Sequence, residues 1–354
     1  MSLPDGVTSI RVQTPRLDTH TLVSGSEDGV PVVLVHGNVS SGRFYAELMA
    51  QLPASVRAYA PDLRGYGHSE AKGIDGTRGV KDFADDLWAF LDAVGVGNEE
   101  RPVHLVGWSV GGGVLMQMAI DRPDGIASLT LEAPMSPYGF GGTKGPEGAP
   151  TNDAWSGTGG GTANPDFAKR LGEKDMSEDA DTSPRNILRN FYVKPPLRFS
   201  QEIEDAYTAA MCDTKTGVEF YPGDLNGTET WPAVAPGTTG TNNAISGKYC
   251  RLDAFGQIAD GPKVLWIRGA DDQIVSDTSL FDLGFLGQLG AVPGWPGEDA
   301  YPAQPMIAQT RAVLDAYASK GNVVDEVVLP ECGHSPHLEH PERFLELLVG
   351  QLGL

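Results

Sequence analysis

Residues 103–113 have the sequence Val-His-Leu-Val-Gly-Trp-Ser-Val-Gly-Gly-Gly, an apolar run that ends in a Gly-x-Ser-x-Gly pentapeptide. The run is typical of a buried strand, and the segment 114–120 that follows is typical of a helix. A serine between a strand and a helix lies on a sharp turn that tolerates only small neighbours, which explains Gly107 and Gly111. This turn raises the Ser109 hydroxyl above the sheet, beside the N-terminus of the helix.

Strand and helix patterns alternate on both sides of this stretch, which predicts an α/β fold with a mostly parallel, doubly wound sheet. The predicted strands cover 8–14, 18–24, 30–35, 56–60, 127–131, 263–269 and 324–329. The predicted helices of the same region cover 42–52, 80–94, 304–319 and 341–352.

The alternation stops after Pro134 and resumes only at residue 263. The stretch between contains glycine-rich and threonine-rich segments, with helical patches at 165–173, 184–192 and 200–211. Uninterrupted loops of this length are rare, so we expect a cap or lid inserted between the sixth and seventh core strands. The predicted parts are a first core part (1–134), the cap (135–262) and a second core part (263–354).

The bulk composition excludes several classes of protein. The chain has 354 residues, of which 40% are hydrophobic, and a formal net charge of −21. This acidity argues against nucleic acid or an anionic membrane as a partner and favours a neutral or apolar substrate. No apolar run is long enough to span a bilayer, and the first residues show no signal peptide, so we expect a cytoplasmic protein.

The three cysteines do not form a disulfide framework. Cys332 stands alone, whereas Cys212 and Cys250 are either a bridge or two buried thiols, and the cytoplasm favours thiols.

The motifs resemble those of the α/β-hydrolase superfamily, in the branch that carries a cap. The stretch at 107–111 resembles its nucleophile elbow, and residues 62–69 resemble its mainly structural Asp-x-Arg-Gly-x-Gly-x-Ser segment. The resemblance implies a nucleophile, an acid and a histidine in that chain order. Epoxide hydrolases and haloalkane dehalogenases of this branch use an aspartate nucleophile, so Ser109 disfavours both activities.

Candidates for the histidine and the acid follow the last two predicted strands. His334 lies at the tip of the loop after 324–329. His337 and His340 are nearer the terminal helix and are expected at the surface or at the end of that helix. The resemblance of residues 269–275 to Gly-x-x-Asp-x-x-Val favours Asp272 as the acid. Asp271 remains an alternative.

Glu132 is a more distant alternative, because some relatives have the acid after that earlier strand. The resemblance also implies an oxyanion hole, formed by the backbone N–H groups of Val110 and Asn38. Trp108 and Phe44 lie next to it in the sequence and are candidate pocket residues. Further aromatic residues of the cap, and the apolar residues of an additional loop at 279–301, are candidates for an apolar wall.

Together these features predict a serine hydrolase that cleaves a carboxylic ester or lactone through an acyl-enzyme, without metal or cofactor. A carbon–carbon bond hydrolase of diketones uses the same triad and remains an alternative. A non-catalytic ligand-binding protein on the same fold is the alternative from another class. The sequence does not specify the substrate or the oligomeric state.

Overall fold

The computed structural model describes residues 2–354, so residue 1 of the predicted first core part lies outside it. The strands are β1 Val7–Gln13, β2 Asp18–Ser24, β3 Val30–Val35, β4 Val56–Pro61, β5 Val103–Trp108, β6 Ile126–Glu132, β7 Thr143–Lys144, β8 Ala149–Pro150, β9 Thr216–Gly217, β10 Tyr221–Pro222, β11 Leu225–Gly227, β12 Val234–Pro236, β13 Lys263–Gly269 and β14 Val324–Leu329. The helices are α1 Ala46–Met49, α2 Lys81–Val94, α3 Val110–Asp121, α4 Pro165–Gly172, α5 Pro184–Ile187, α6 Gln201–Cys212, α7 Thr241–Ala244, α8 Leu283–Gln288, α9 Met306–Ser319, α10 Pro336–Glu339 and α11 Pro341–Leu352.

Eight of the strands form one sheet in the order β1-β2-β4-β3-β5-β6-β13-β14. The β1–β2 and β2–β4 pairs are antiparallel, and every other pair is parallel. The predicted α/β class and mostly parallel sheet are therefore confirmed. The parallel strands end at one edge of the sheet, where the loops after β3, β5, β6, β13 and β14 meet.

Both faces of the sheet are covered by helices. Val33 and Val35 of β3 belong to a hydrophobic cluster shared with α2, α3 and α9. Val32 and Leu34 point the other way, into a cluster shared with α1, α6 and α11. Successive residues of a strand face opposite sides, so an apolar run such as 30–35 fits a strand that is buried on both faces.

The helices beside the central strands follow the sequence patterns. One face of α2 is apolar, and the helix ends at Gly95, which has a left-handed conformation with φ of 73°. The first ten residues of α3 are all buried, so this helix has no solvent face in its first turns. Within the described residues, no helix is long and apolar enough to cross a membrane.

The residues between β6 and β13 form short elements rather than a further sheet. The three predicted helical patches correspond to α4, to α5 with a following π-helical turn, Leu188–Tyr192, and to α6. Asn164 caps α4 by accepting hydrogen bonds from the N–H groups of Asp166 and Phe167, with Pro165 in the first turn. The remaining strands form three separate two-stranded ladders.

The loop after β13 departs from the expectation of irregular structure. It contains helix α8, whose N-cap Asp282 accepts a hydrogen bond from the Phe285 N–H. Gly284 and Gly287 lower the helix propensity of this segment, which explains why its sequence gives a weak helix signal.

The three cysteines are free and buried, so Cys212 and Cys250 are two thiols and not a bridge.

A buried arginine network joins the loop after β4 to helix α2. The Arg64 guanidinium donates to both carboxylate oxygens of Asp86, at 2.6 and 2.7 Å, and to the Gly73 carbonyl at 2.9 Å. Asp82 accepts a further bond from Arg64 at 3.3 Å. The side chains of Arg64 and Asp86 are each only 4% exposed, so this pair is shielded from solvent. Arg64 thus has a structural position, as its motif predicts.

We predict that Arg64→Met destabilises the fold by about 3 kcal/mol, because it leaves two buried carboxylates short of a cation. The measurement is the free energy of unfolding from urea titration. The matched control is Arg343→Met, since Arg343 is 47% exposed and forms an ion pair with Glu346 on the surface. We expect this control to change stability by less than about 0.5 kcal/mol. Equal losses in the two variants would contradict the structural role.

Candidate active site

Ser109 lies on the turn between β5 and α3, as the sequence predicts. Its φ and ψ are 57° and −118°, a conformation that costs an L-residue about 1–3 kcal/mol. Backbone hydrogen bonds hold the turn: the Ser109 N–H donates to Glu132 O at 2.9 Å, and Ser109 O accepts from the N–H groups of Gly112 and Met135 at 3.0 Å. The surrounding structure therefore stabilises a strained residue.

Two glycines allow the turn to approach the loop after β3, residues 36–39, which we call the β3 loop. A Cβ on Gly111 would lie 2.2 Å from the Val35 carbonyl oxygen, and one on Gly37 would lie 2.8 Å from the Ser109 Cβ. Both distances are too short for any side chain. Glycine at these positions thus brings Ser109 against the β3 loop.

His334 and Asp272 form a hydrogen-bonded pair next to Ser109. His334 Nδ1 lies 2.8 Å from Asp272 Oδ2, and each side chain is 3% exposed. Asp272 Oδ1 accepts from the N–H groups of Ile274 and Val275 at 2.8 and 3.0 Å, which fixes the carboxylate. A proton on Nδ1, shared with Asp272, leaves Nε2 able to accept another. No hydrogen bond joins Ser109 to His334 in this structure, although both line the same cavity.

The neighbouring aspartate points away from the histidine. Asp271 is 43% exposed and binds Lys194 Nζ at 2.9 Å. Of the two adjacent candidates for the acid, the structure brings Asp272 to His334 and leaves Asp271 at the surface.

Glu132 forms a second buried pair, with His337 rather than His334. Glu132 Oε1 accepts from both the N–H and the Nδ1 of His337, at 2.8 and 2.7 Å. Both side chains are fully buried, so the expectation that His337 lies at the surface or at the end of the terminal helix is wrong. The cause is the start of α10, which turns residue 337 towards the end of β6. The Trp108 ring packs against both histidines, with centroid distances of 5.6 Å to His334 and 5.2 Å to His337.

The predicted oxyanion-hole donors lie on the two loops that meet at Ser109. Within residues 2–354, the backbone N–H groups of Asn38 and Val110 donate to no protein acceptor. The Asn38 side chain is held in place, because its Oδ1 accepts from the Tyr66 hydroxyl at 2.7 Å and from the Val39 N–H at 3.0 Å. The N–H groups of Asn38 and Val110 are thus free to donate and lie beside the turn at Ser109.

His36 anchors the β3 loop on its other side. Its Nε2 accepts from the Leu63 N–H at 3.0 Å, and its Nδ1 lies 2.8 Å from Gly37 O. Burial lowers the pKa of His36, which keeps the ring neutral and able to accept. Burial likewise raises the pKa of the Cys332 thiol, so this cysteine near His334 is protonated and not nucleophilic.

A cavity of about 400 Å³ opens at Ser109. Its lining is mostly apolar, and none of the described residues that line it is Lys or Arg. Asp181 is exposed at the cavity, as is Phe281, which is 37% exposed. The segment after Asp272, which includes helix α8, contributes six apolar lining residues: Ile274, Val275, Leu280, Phe281, Leu283 and Leu286.

The two residues predicted from the sequence to line the pocket differ in position. Trp108 lines the cavity, and its Nε1 donates to the His334 carbonyl at 2.8 Å. Phe44 does not line the cavity, so that prediction is wrong. Its ring is fully buried behind Trp108, at 5.5 Å from the Trp108 ring, and stacks on Tyr207 at 4.6 Å. Proximity in sequence to the β3 loop does not distinguish a wall residue from one packed behind the wall.

Several residues of the cavity wall were not predicted from the sequence. Phe167, Ile187 and Ile245 line the cavity from separate short elements between β6 and β13. An apolar residue on a short helix is equally consistent with packing against the core, so only the tertiary structure identifies these positions. Within the described residues, no group of three His, Cys, Asp or Glu side chains is arranged to hold a metal ion.

Comparison with known proteins adds independent information. A sequence model of the alpha/beta hydrolase family matches residues 32–347, which is most of the chain. The chain is 32% identical to the magnesium-chelatase 30 kDa subunit of Rhodobacter capsulatus over 30% of its own length and 36% of that protein. It is 29% identical to an uncharacterized carboxylesterase of Bacillus subtilis over 37% of its own length and 42% of that protein. The matched stretches thus span less than half of these relatives.

Solved structures resemble the whole chain. The esterase RhEst1 from Rhodococcus sp. ECU1013 superposes with a TM-score of 0.58 and 18% identity, covering 98% of both chains. At this identity the likeness supports the fold alone.

We predict that Ser109→Gly is more stable than Ser109→Ala by about 1 kcal/mol. Both variants lose the hydroxyl, but only glycine relieves the positive φ, and its larger unfolded-state entropy offsets part of the gain. Thermal and urea unfolding of the two variants side by side provide the measurement. If Ser109→Ala is as stable as Ser109→Gly, the turn stores no strain at this residue.

Proposed function

The chain belongs to the alpha/beta hydrolase family, and from that premise we propose that it is a serine hydrolase with Ser109, His334 and Asp272 as its catalytic triad. The observation that carries the proposal is the 2.8 Å contact between His334 Nδ1 and Asp272 Oδ2. His334 lines the same cavity as Ser109, and Asp272 holds it from behind the wall. An acid–histidine pair beside a raised serine is the arrangement that activates a hydroxyl nucleophile.

The proposed reaction transfers the acyl group of an ester or lactone to Ser109 and then to water. His334 Nε2 accepts the hydroxyl proton as Ser109 Oγ attacks the carbonyl carbon, and the resulting oxyanion accepts hydrogen bonds from the Asn38 and Val110 N–H groups. Collapse of the tetrahedral intermediate breaks the bond to the alkoxy oxygen, which leaves with the proton from His334. Water then attacks the acyl-enzyme by the same steps and releases the acid.

Asp272 supports both steps without touching the substrate. Its carboxylate keeps the proton of His334 on Nδ1 and stabilises the imidazolium that forms during attack. The N–H groups of Ile274 and Val275 keep this carboxylate oriented.

The cavity favours a neutral, largely apolar substrate. Its described lining offers aliphatic and aromatic side chains and no cation, and the chain as a whole has a net charge of −21. A carboxylate on the substrate would lose hydration in this cavity without gaining a Lys or Arg partner. We further propose that residues 135–262 act as a cap, because lining residues such as Phe140, Phe191 and Tyr192 belong to this part of the chain.

We predict that wild type reacts with a fluorophosphonate probe and hydrolyses p-nitrophenyl esters, whereas Ser109→Ala does neither. Asp272→Asn is expected to lower kcat by about 1,000-fold or more, because the histidine then adopts the wrong tautomer. The matched control is the neighbouring change Asp271→Asn, at an exposed residue that binds Lys194, and we expect kcat within about threefold of wild type. Equal effects of the two aspartate changes would refute the assignment of the acid. Labelling without ester turnover would retain the triad and reject the ester substrate.

We predict a preference against negative charge on the acyl group. The comparison is p-nitrophenyl butyrate with mono-p-nitrophenyl glutarate, which share the leaving group and differ mainly by a terminal carboxylate. We expect kcat/KM to be at least about tenfold lower for the glutarate, because its charge enters an apolar cavity. Equal kcat/KM values would show that the acyl group does not enter this cavity.

A further inference from the structure

One residue of the segment between β6 and β13 contacts two loops of the candidate site. The hydroxyl of Tyr192 donates to the carbonyl oxygens of Asn38 and Val39, at 3.0 and 3.1 Å. Val39 has a φ of 47°, so the turn that follows Asn38 is a strained one. Tyr192 therefore fixes the carbonyl side of a turn whose Asn38 N–H is the proposed oxyanion donor.

The backbone of the same residue binds the loop at residues 330–335, which we call the histidine loop. Ser335 Oγ donates to the Tyr192 carbonyl at 2.6 Å. Two residues later in the chain, the Lys194 N–H donates to Glu339 Oε2 at 2.7 Å. This carboxylate also accepts from the N–H groups on either side of His334, Gly333 at 2.8 Å and Ser335 at 3.0 Å.

These contacts are shielded from water. Tyr192 is 7% exposed, and Ser335 is fully buried. Burial raises the pKa of Tyr192 far above its ordinary value, so the hydroxyl is always protonated and able to donate. The Tyr192 ring also packs edge-on against Trp108, at a centroid distance of 5.6 Å, so the residue cannot rotate away without breaking several contacts.

We propose that Tyr192 is a positioning residue that sets the distance between the β3 loop, with its oxyanion donor, and the histidine loop, with His334. The proposal rests on the proposed function, since it assigns Tyr192 a part in the same reaction. Through its hydroxyl it holds the Asn38–Val39 turn, and through its carbonyl it holds Ser335, the residue next to His334. Catalysis by fixed hydrogen-bond donors depends on placement to within tenths of an ångström.

Tyr192 lies at the end of the π-helical turn Leu188–Tyr192. Single π-helical turns are uncommon and occur frequently at functional sites. Here the turn directs the Tyr192 hydroxyl onto the β3 loop, while Ile187, Phe191 and Tyr192 itself line the cavity. The segment therefore contacts both the substrate cavity and the catalytic loops.

The test is Tyr192→Phe, which removes the hydroxyl and retains the ring. We expect kcat on p-nitrophenyl butyrate to fall about tenfold while KM stays within about twofold, because the lost interaction acts on the transition state. Affinity for a trifluoromethyl ketone, which binds serine hydrolases as a tetrahedral adduct, is expected to fall by about the same factor. The matching methyl ketone, a ground-state ligand, is expected to bind Tyr192→Phe as it binds wild type.

The matched control is Tyr317→Phe. The hydroxyl of Tyr317 is also buried and donates to a carbonyl, Pro262 O at 2.6 Å, but on helix α9 and away from the cavity. We expect Tyr317→Phe to lose about as much stability as Tyr192→Phe, with kcat and KM unchanged. Ser335→Ala removes the hydrogen bond from Ser335 Oγ to the Tyr192 carbonyl. We expect this variant to lower kcat with little change in KM. It tests the proposal even if Tyr192→Phe does not fold.

The outcomes separate this inference from the proposed function. An active wild type with kcat unchanged in Tyr192→Phe or in Ser335→Ala overturns the positioning role and leaves the triad intact. A fall in kcat shared equally by Tyr317→Phe overturns it too, because the effect is then one of general stability. A wild type that neither labels nor hydrolyses overturns the proposed function, and the positioning role with it.

Discussion

The structure depends on a close contact between the turn at Ser109 and the end of strand β3. Gly111 lies so near the Val35 carbonyl that no side chain fits, and a side chain on Gly37 would collide with Ser109 itself. At this contact Ser109 has a positive φ of 57°, and helix α3 begins at the next residue. The cost of that conformation is offset by hydrogen bonds from the turn to the residues at and after the end of β6. Asn38, Asp272 and His334 lie on the loops that follow β3, β13 and β14, at the same edge of the sheet as this turn.

The sequence predicted those parts of the fold where a local pattern has one structural solution. Apolar runs bounded by turn residues gave the central strands, and the Gly-x-Ser-x-Gly context gave the elbow. The candidates Ser109, Asp272 and His334 lie together because each follows a parallel strand, and such strands end at one edge of the sheet. What the sequence could not give was side-chain direction: Phe44 lies behind the wall, and His337 turns inward to Glu132.

The segment between β6 and β13 was predictable only in outline. Its helices were recognised from caps such as Asn164 and Pro165, which act locally. The helix faces that line the cavity are determined by packing between elements far apart in the chain. The periodicity of apolar residues does not predict this packing. Helix α8 was missed for a different reason, since Gly284 and Gly287 weaken the local signal while Asp282 and tertiary contacts stabilise the helix.

Strands β6 and β13 are hydrogen-bonded neighbours although the segment between them is long. The entropy of closing a loop grows only with the logarithm of its length, so each doubling of this segment adds about 0.6 kcal/mol. The sheet therefore tolerates large changes in the segment that forms much of the cavity wall, and specificity can diverge while the core persists.

Tyr192 limits this freedom. A replacement segment of any length or composition must still bring one hydroxyl to the Asn38–Val39 turn and one carbonyl to Ser335. On the proposed role of Tyr192, the segment with the greatest freedom in length thus contains one residue under the same constraint as the loops that carry the proposed triad.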